Sequence, residues 1–471
     1  MRKTKIICTL GPASDRGDVL ERMFDSGMNC ARFNFSHGTH QEHKVRIDRV
    51  RKLCREKGVQ IPLLLDTKGP EIRLGNFQHG SEVLKEGELF TLTSRSVSGT
   101  ASVSGVSFPD LPLYVKENDI ILIDDGKLSL EVERIDGQDI VCRISTGGVI
   151  QDHKSINIPN RPIPMPYLRD ADKSDILFGI QEDMDYIAAS FVRTADDVCC
   201  LRKFLADNGG DKIKIISKIE NRQGLDNLDA IIEASDGIMV ARGDLGVEIP
   251  FKYLPAVQKE IIDKCYKSGK HVVTATQMLE SMIRSPRPTR AEVSDVANAI
   301  YDGTTAIMLS GESASGDYPA EAVKAMSDIA EAAEASINYV ERFRNCRPLP
   351  GKDFTHAVGI AACDAAHYLN AKAIIVVTRS SHTAHGISNN RPACPIIAVV
   401  LDEKGLRQSA LLWGVTPVKA QEQHSLDSLF SHGIEKAIST SLVRKGDLVV
   451  IVAGSSQAQG EFSDTMKISI V

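Results

Sequence analysis

Short runs of β-branched and aliphatic residues recur along this 471-residue chain. Each is followed by a segment in which apolar residues return every three or four positions. The first pattern predicts strands at Lys5–Leu10, Cys30–Phe35, Ile61–Asp66, Tyr186–Phe191, Lys214–Glu220, Gly237–Ala241, His271–Thr276 and Thr305–Leu309. The second predicts helices such as Gly17–Asp25, His40–Glu56, Thr194–Asn208, Gln223–Ser235, Leu254–Ser268, Arg290–Tyr301 and Pro319–Tyr339. Strand-then-helix repeated eight times predicts a closed (β/α)8 barrel. An open doubly wound sheet is the alternative, because periodicity does not prove closure.

About 120 residues separate the third and fourth strands, far more than a loop needs. This stretch reads as β-rich, at Leu89–Thr93, Asp119–Ile123, Leu128–Ile135 and Asp139–Ile144, with turns at Asp125-Gly126 and Asp136-Gly137. The proline-rich run Ile158–Pro164 returns the chain stiffly to the barrel. After Arg342–Pro348 the alternation restarts, with helix Phe354–Tyr368, strand Ala373–Thr378, shorter units to Leu448–Val452 and a last strand in Met466–Val471. The expected α/β architecture is a (β/α)8 TIM barrel at 1–69 and 167–345, an inserted small β-barrel domain at 70–166 and a C-terminal α/β domain at 346–471. An insertion after a barrel strand stands over the end where barrel enzymes do their chemistry.

A net charge of −6 and a pI near 6.1 leave no basic footprint for nucleic acid. No apolar run approaches the roughly 20 residues of a membrane span, and Gly11-Pro12 interrupts the N-terminus too soon for a signal peptide. The ten cysteines include no C-x-x-C pair and read as reduced thiols, which points to the cytoplasm.

The predicted strand ends carry Arg32, Asn34, Ser36, Asp66, Thr67, Lys218, Glu220, Asp244 and Thr276. Lys218 and Glu220 stand two apart in a strand and therefore share a face, roughly 7 Å apart along it. Asp244 follows the next apolar run, Ile238–Ala241. A lysine and two carboxylates at neighbouring strand ends can hold a divalent cation and a phosphoryl group together. Singly, each residue has a plainer role: Lys218 neutralising Glu220, or Asn34 and Ser36 ending a strand.

These residues lie in long motifs that resemble the pyruvate kinase family, over nearly the whole chain. They are Arg32–Gly38 (RFNFSHG), Leu65–Arg73 (LDTKGPEIR), Ser217–Asn221 (SKIEN), Met239–Gly246 (MVARGDLG), Thr274–Met282 (TATQMLESM) and Pro286–Glu292 (PRPTRAE). The resemblance implies transfer of the phosphoryl group of phosphoenolpyruvate to ADP, giving pyruvate and ATP, in a homotetramer. Glu220 and Asp244 are then ligands for Mg2+ or Mn2+, and Lys218 neutralises the group in transit. Gly243, Asp244 and Thr276 meet the substrate, with Thr276 near the protonation step. Arg32 contacts phosphate, while Asn34, Arg73 and Lys154 contact nucleotide, so the insertion becomes a lid that excludes water. Asn34, Ser36, Asp66 and Thr67 form a K+ site, and Glu71 resembles the potassium-dependent branch, where potassium-independent members tend to carry lysine.

The third domain departs more from the family. Thr378, Ser380, Ser381 and Thr383 in Thr378–His385 form a hydroxyl-rich loop entering a helix, suited to a sugar-phosphate or nucleotide effector, fructose 1,6-bisphosphate being the leading candidate. A structural helix cap is the alternative. Arg379 and His385 are unusual there, and Gly454–Ser463 lacks the fuller Gly/Thr-rich loop and carries Glu461. Phe33 for a more usual leucine and Thr305 for a frequent aspartate remove no ligand, and Trp413 reads as packing. Two competing functions are another metal-dependent phosphoenolpyruvate or pyruvate barrel lyase and a metabolite sensor without turnover.

Overall fold

The computed structural model describes residues 2–159, 161–345, 354–454 and 463–471. The segment after Arg342–Asn345 expected to link into the third domain, and most of Gly454–Ser463 with Glu461, lie outside the described residues.

Eight parallel strands close into a barrel: β1 (Lys5–Thr9), β2 (Cys30–Asn34), β3 (Leu63–Asp66), β4 (Tyr186–Ala189), β5 (Lys214–Ile219), β6 (Gly237–Ala241), β7 (His271–Ala275) and β8 (Ala306–Leu309). Neighbours in sequence are neighbours in space, and β8 pairs back onto β1 at Lys5–Ala306. Closure buries both faces, which is why the strands read as unbroken apolar runs. Alternation divides them: Ile6, Cys8, Ile215 and Ile238 face the helices, while Ile7, Leu64, Ile216, Met239 and Met308 fill the interior. In β5 the inward set continues from Ile216 to Lys218, so the lysine emerges at the barrel mouth.

The surrounding helices carry local signals for their ends. Thr289 and Glu292 form a reciprocal capping box that opens helix Arg290–Asp302, and Gly303 closes it with φ 107°. The conspicuous Pro288–Glu292 run is therefore helix-starting chemistry. Two predicted helices are divided. Gln223–Ser235 breaks at Asn227 into Arg222–Asp226 and Leu228–Ala234, where the Asn227 amide donates to the Arg193 and Gln223 carbonyls. Pro319–Tyr339 ends at Ala335, and Tyr339–Asn345 forms a separate helix.

Between β3 and β4 lies a seven-stranded sheet in the order Ile72–Arg73, Ser155–Asn157, Ile120–Ile123, Leu128–Asp136, Asp139–Thr146, Leu89–Thr93 and Val103–Gly105. Its two outer strands meet through a Leu74–Val106 bridge and a bond from the Ser107 amide to the Arg73 carbonyl at 2.8 Å. The sheet therefore curls around its own core of Phe90, Leu92, Ile121, Leu130 and Ile140. The chain leaves the barrel for this sheet at Gly69. There φ is +72° and a Cβ would stand 2.9 Å from the Ser190 carbonyl oxygen, so only glycine passes without displacing β4's end.

The third domain is a five-stranded sheet ordered Val415–Lys419, Ile396–Val400, Ala373–Thr378, Leu448–Ala453 and Thr465–Ile470, with only the last pair antiparallel. It is seated on the barrel's N-terminal rim. Leu411 packs into the interior cluster with Ile216 and Met308, and the Tyr186 hydroxyl donates to the Gln408 carbonyl at 2.9 Å. Trp413 is buried against Tyr339, 5.4 Å between ring centres. All nine cysteines among the described residues are free thiols. No helix among those residues is long and apolar enough to cross a membrane.

Candidate active site

A cavity of about 380 Å3 opens at the C-terminal ends of the strands, beneath the inserted domain. Eight of the nine strand-end candidates line it: Arg32, Asn34, Ser36, Asp66, Thr67, Lys218, Glu220 and Asp244. Glu71, Arg73 and Lys154 enter from the insertion and its hinge.

Lys218 is the hub. Its ammonium reaches Glu220 Oε1 at 2.8 Å, Ser190 Oγ at 2.9 Å and Asp66 Oδ1 at 3.1 Å, which accounts for all three of its donors. Asp66 Oδ2 accepts from Arg32 Nε at 2.6 Å, and Arg32 Nη1 continues to Thr9 Oγ1 at 2.7 Å. These side chains are almost wholly buried, so the charges act through little intervening water. Burial works against the Lys218 cation, but Asp66 and Glu220 together overcome it and raise its pKa. Burial also works against the Asp66 carboxylate; Arg32 and Lys218 overcome it, and the pKa falls. A buried carboxylate thus bridges two cations.

Glu220 and Asp244 behave oppositely. Burial raises the pKa of Glu220, and the charge of Asp244 adds to it against the pull of Lys218. Asp244 is raised by burial too, with Asp125 of the inserted domain and Glu71 contributing like charge, and the pair share a hydrogen bond. Two carboxylates pressed together in this way gain most from a divalent cation, whose charge removes the repulsion and whose preference is for oxygen. The residues present therefore fit such an ion. Glu220 is aimed by Phe191, whose amide donates to Oε2 at 2.6 Å. Phe191 has φ 52°, a left-handed conformation that turns its N–H into the cavity.

Gly243 and Thr276 do not line this cavity but brace its edge. Thr276 Oγ1 accepts from the Gly243 amide at 2.8 Å and donates to the Ala275 carbonyl at 2.6 Å. Thr276 and Gln277 both adopt left-handed backbone, with φ 66° and 54°. Arg242 holds the Thr276 carbonyl at 2.6 Å and is itself anchored on Asp295 at 2.7 Å. The helix Arg242–Glu248 carrying Asp244 is thus fixed to the end of β7. A Cβ at Gly243 would meet nothing nearer than Thr276 Oγ1 at 3.6 Å, so no contact inside the protein demands glycine there.

On the far wall, Asn34 Oδ1 accepts from the Ser36 amide at 3.1 Å, and Thr67 Oγ1 accepts from the Ser190 amide at 3.1 Å. Arg73 pairs with Glu71 at 2.5 Å and donates to the His153 carbonyl at 2.8 Å. Lys154, which a sequence reading allows to be a solvated surface lysine, is 2.8 Å from Asp124 in a hairpin turn of the inserted domain. Sequence reasoning overlooked Ser190, Phe191, Thr9, Asp124 and Asp125. Ser190 follows β4 as Glu220 follows β5, so asking what every strand end presents would have found it.

The four hydroxyls proposed for an effector are not gathered together. Thr383 Oγ1 meets Ser463 Oγ at 2.8 Å inside the third domain. Ser380 and Ser381 instead line a second cavity at the junction with the barrel, where Ser381 Oγ accepts from Lys214 at 2.9 Å. Thr378 stands at the end of its strand and lines neither cavity.

The families described as "Pyruvate kinase, barrel domain" and "Pyruvate kinase, alpha/beta domain" match residues 1–323 and 356–469. The chain is 47% identical to the pyruvate kinase of Clostridium acetobutylicum over 472 residues, covering all of both chains. It is also 47% identical to the pyruvate kinases of Sporosarcina psychrophila and Staphylococcus epidermidis, where all of this chain covers 81% of each.

Proposed function

The chain belongs to the pyruvate kinase family and transfers a phosphoryl group from phosphoenolpyruvate to ADP, and from that premise we propose how its own residues divide the work. Glu220 and Asp244 hold Mg2+ or Mn2+; when bound, the ion stabilises the negative charge that develops on the enolate oxygen as the phosphoryl group leaves. Lys218 faces the group in transit. The observation that carries this assignment is its three-way sharing among Asp66, Ser190 and Glu220. Were Glu220 engaged by such an ion, one N–H of the Lys218 ammonium would be free to face the phosphoryl group. Arg32, held by Asp66 and Thr9, presents its remaining donors to phosphate.

Thr276 acts beside Gly243 and Asp244, where the substrate carboxylate is received and the enolate protonated. Arg73 and Lys154 approach the nucleotide from the lid, and Asn34 from the barrel. Each lid cation already has a carboxylate partner, Glu71 or Asp124, which positions it until the polyphosphate competes for it. Closure of the lid domain, 70–166, over ADP excludes the water that would otherwise take the phosphoryl group. Asn34, Ser36, Asp66 and Thr67 hold K+, the oxygen-rich and singly charged set that suits a monovalent ion. The enzyme works in the cytoplasm as a homotetramer, and its third domain responds to a phosphorylated effector.

The test is ATP formation from phosphoenolpyruvate and ADP with Mg2+ and K+, for wild type and Lys218→Met. Full turnover by the variant would move the phosphoryl contact away from Lys218.

A further inference from the structure

The strand Ser155–Asn157 lies inside the inserted sheet, paired on one side with Ile72–Arg73 and on the other with Ile120–Ile123. Its position is therefore that of the sheet around it. Lys154, just before the strand, lines the catalytic cavity and is held by Asp124 at 2.8 Å. Asn157 stands three residues later, roughly 10 Å along the chain. Its side-chain amide crosses to the barrel and donates to Glu248 Oε1 at 3.0 Å.

Glu248 closes the helix Arg242–Glu248, one turn after Asp244. That helix is fixed to the barrel, because Leu245 is buried in the barrel core and Arg242 holds Asp295 and the Thr276 carbonyl. The inserted domain comes near it a second time. A Cβ on Gly126, beside Asp124 and Asp125 in their hairpin turn, would stand 3.9 Å from Val247 Cγ1.

Little else sets the angle of the sheet. Its apolar core is a cluster separate from that of the barrel. On the hinge side a cavity of about 630 Å3 parts the two bodies, with Ile72, Ile156 and Ile158 on one wall and Phe191 and Asn221 on the other. Asn157 and Glu248 both border this gap. The hinge segments have their own bonds, from Arg169 to the Glu71 carbonyl at 3.4 Å and from Arg193 to the carbonyls of Ile163 and Met165 at 3.0 and 2.9 Å. Among the described residues, Asn157–Glu248 is the hydrogen bond that joins a strand of the inserted sheet to the barrel.

We infer that Glu248 is a positioning residue for the phosphoryl acceptor: through Asn157 it fixes how the inserted domain presents Lys154 across the catalytic cavity from Asp244. The inference rests on the reading of Lys154 as a nucleotide contact and adds the barrel residue that aims it. Glu248 borders the hinge cavity and not the catalytic one, so it acts through its partner. One helix turn joins Asp244 to Glu248, and one short strand joins Asn157 to Lys154. The metal ligand and the nucleotide cation thereby share a single frame. Burial pushes the Glu248 carboxyl up, with the Asn157 bond pulling against it. A neutral acceptor suits such a place, and glutamine supplies one.

The test is the steady-state KM for ADP and for phosphoenolpyruvate, measured on the full chain with Mg2+ and K+. Glu248→Ala and Asn157→Ala each raise the KM for ADP about fivefold or more, the loss expected from a hydrogen bond to a carboxylate. The double variant goes no further, since both changes remove one bond. Glu248→Gln returns the KM to within about twofold of wild type. In Glu248→Ala the kcat at saturating ADP, the KM for phosphoenolpyruvate and Mn2+ binding by electron paramagnetic resonance stay near wild type. A general loosening of the helix would instead weaken metal and phosphoenolpyruvate through Asp244. In a Lys154→Met background, Glu248→Ala leaves the KM for ADP where it was. An unmoved KM for ADP in the alanine variants, additive effects of the two, no rescue by glutamine, or a matching loss of Mn2+ affinity overturns the inference. Should Glu248→Ala fail to fold, Asn157→Ala carries the same expectation from the other side of the contact. Lys154→Met alone separates the two readings: an unchanged KM for ADP removes Lys154 from the nucleotide and the inference with it, whereas a raised KM beside an indifferent Glu248→Ala removes the inference only.

Discussion

Replacing Lys218 with methionine keeps an unbranched apolar stem of similar length and removes one charge with three donors. Without a metal those donors are spent on Asp66, Ser190 and Glu220, and the one that Glu220 would give up faces the position where charge develops on the group in transit. The loss should therefore fall on the transition state. A unit charge about 4 Å from a developing charge, at an effective dielectric near 20, is worth roughly 4 kcal/mol. Removal of a single preorganised donor at such a site costs roughly 3–4 kcal/mol, or about 10²–10³ in kcat. Lys218→Met should lower kcat by at least that factor and leave the KM for phosphoenolpyruvate within a few-fold, because Arg32 keeps Asp66 as its partner. Ser190→Ala removes one neutral acceptor, worth about 1 kcal/mol, and should cost less than tenfold. Steady-state kinetics of both variants, with urea unfolding and Mn2+ binding as controls for fold and metal site, make the comparison. A folded, metal-binding Lys218→Met enzyme with a large rise in KM but kcat within tenfold of wild type would falsify the transition-state role.

Glu220→Gln should weaken Mn2+ binding at least tenfold, read by electron paramagnetic resonance, because a neutral amide no longer offers charge to the ion; unchanged affinity would remove Glu220 from the metal site. Glu71→Lys should bring turnover in tetramethylammonium close to that in K+, since an ammonium then stands where the monovalent charge is needed, and an undiminished K+ requirement would refute the placement. His271 has its pKa pushed down to about 3, first by burial and then by Lys214 and Arg391. Between that value and about 6.5 only the unfolded chain takes up the proton, so the stability tied to neutral His271 is present above about 6.5 and lost as pH falls, at about 1.4 kcal/mol per unit. Wild type should lose about 2–3 kcal/mol relative to His271→Gln between pH 7 and pH 4.5 in urea denaturation, and parallel pH profiles would show that the imidazole is not so destabilised as a cation.

The eight barrel strands were legible because closure buries both of their faces, which leaves runs such as Ile215–Ile219 with little polar interruption. That Lys218, Glu220 and Asp244 gather at one end of the barrel was legible too, since they and their motifs are compact stretches of chain at strand ends. Helix ends set by competing side chains were not: Asn227 breaks a periodic run by bonding Arg193, 34 residues away. Nor was the cap of the insertion's sheet, where Leu74 meets Val106 without any alternating pattern. Ser190 escaped notice because a serine after Tyr186–Ala189 looks like an ordinary strand end.

The amino-acid order by itself determined which polar residues end the barrel strands and which way each strand points them, because alternation and periodicity are properties of neighbouring residues. The tertiary structure alone decided how they share it. Asp66 appeared only as an oxygen ligand for a monovalent ion, yet in the folded chain it bridges Arg32 and Lys218, the latter 152 residues away. The start of β5 gained its partner only when the third domain seated Ser381 against Lys214. Such pairings follow from barrel closure and domain docking, which bring distant residues within a few ångströms, and no local pattern in the sequence records that distance.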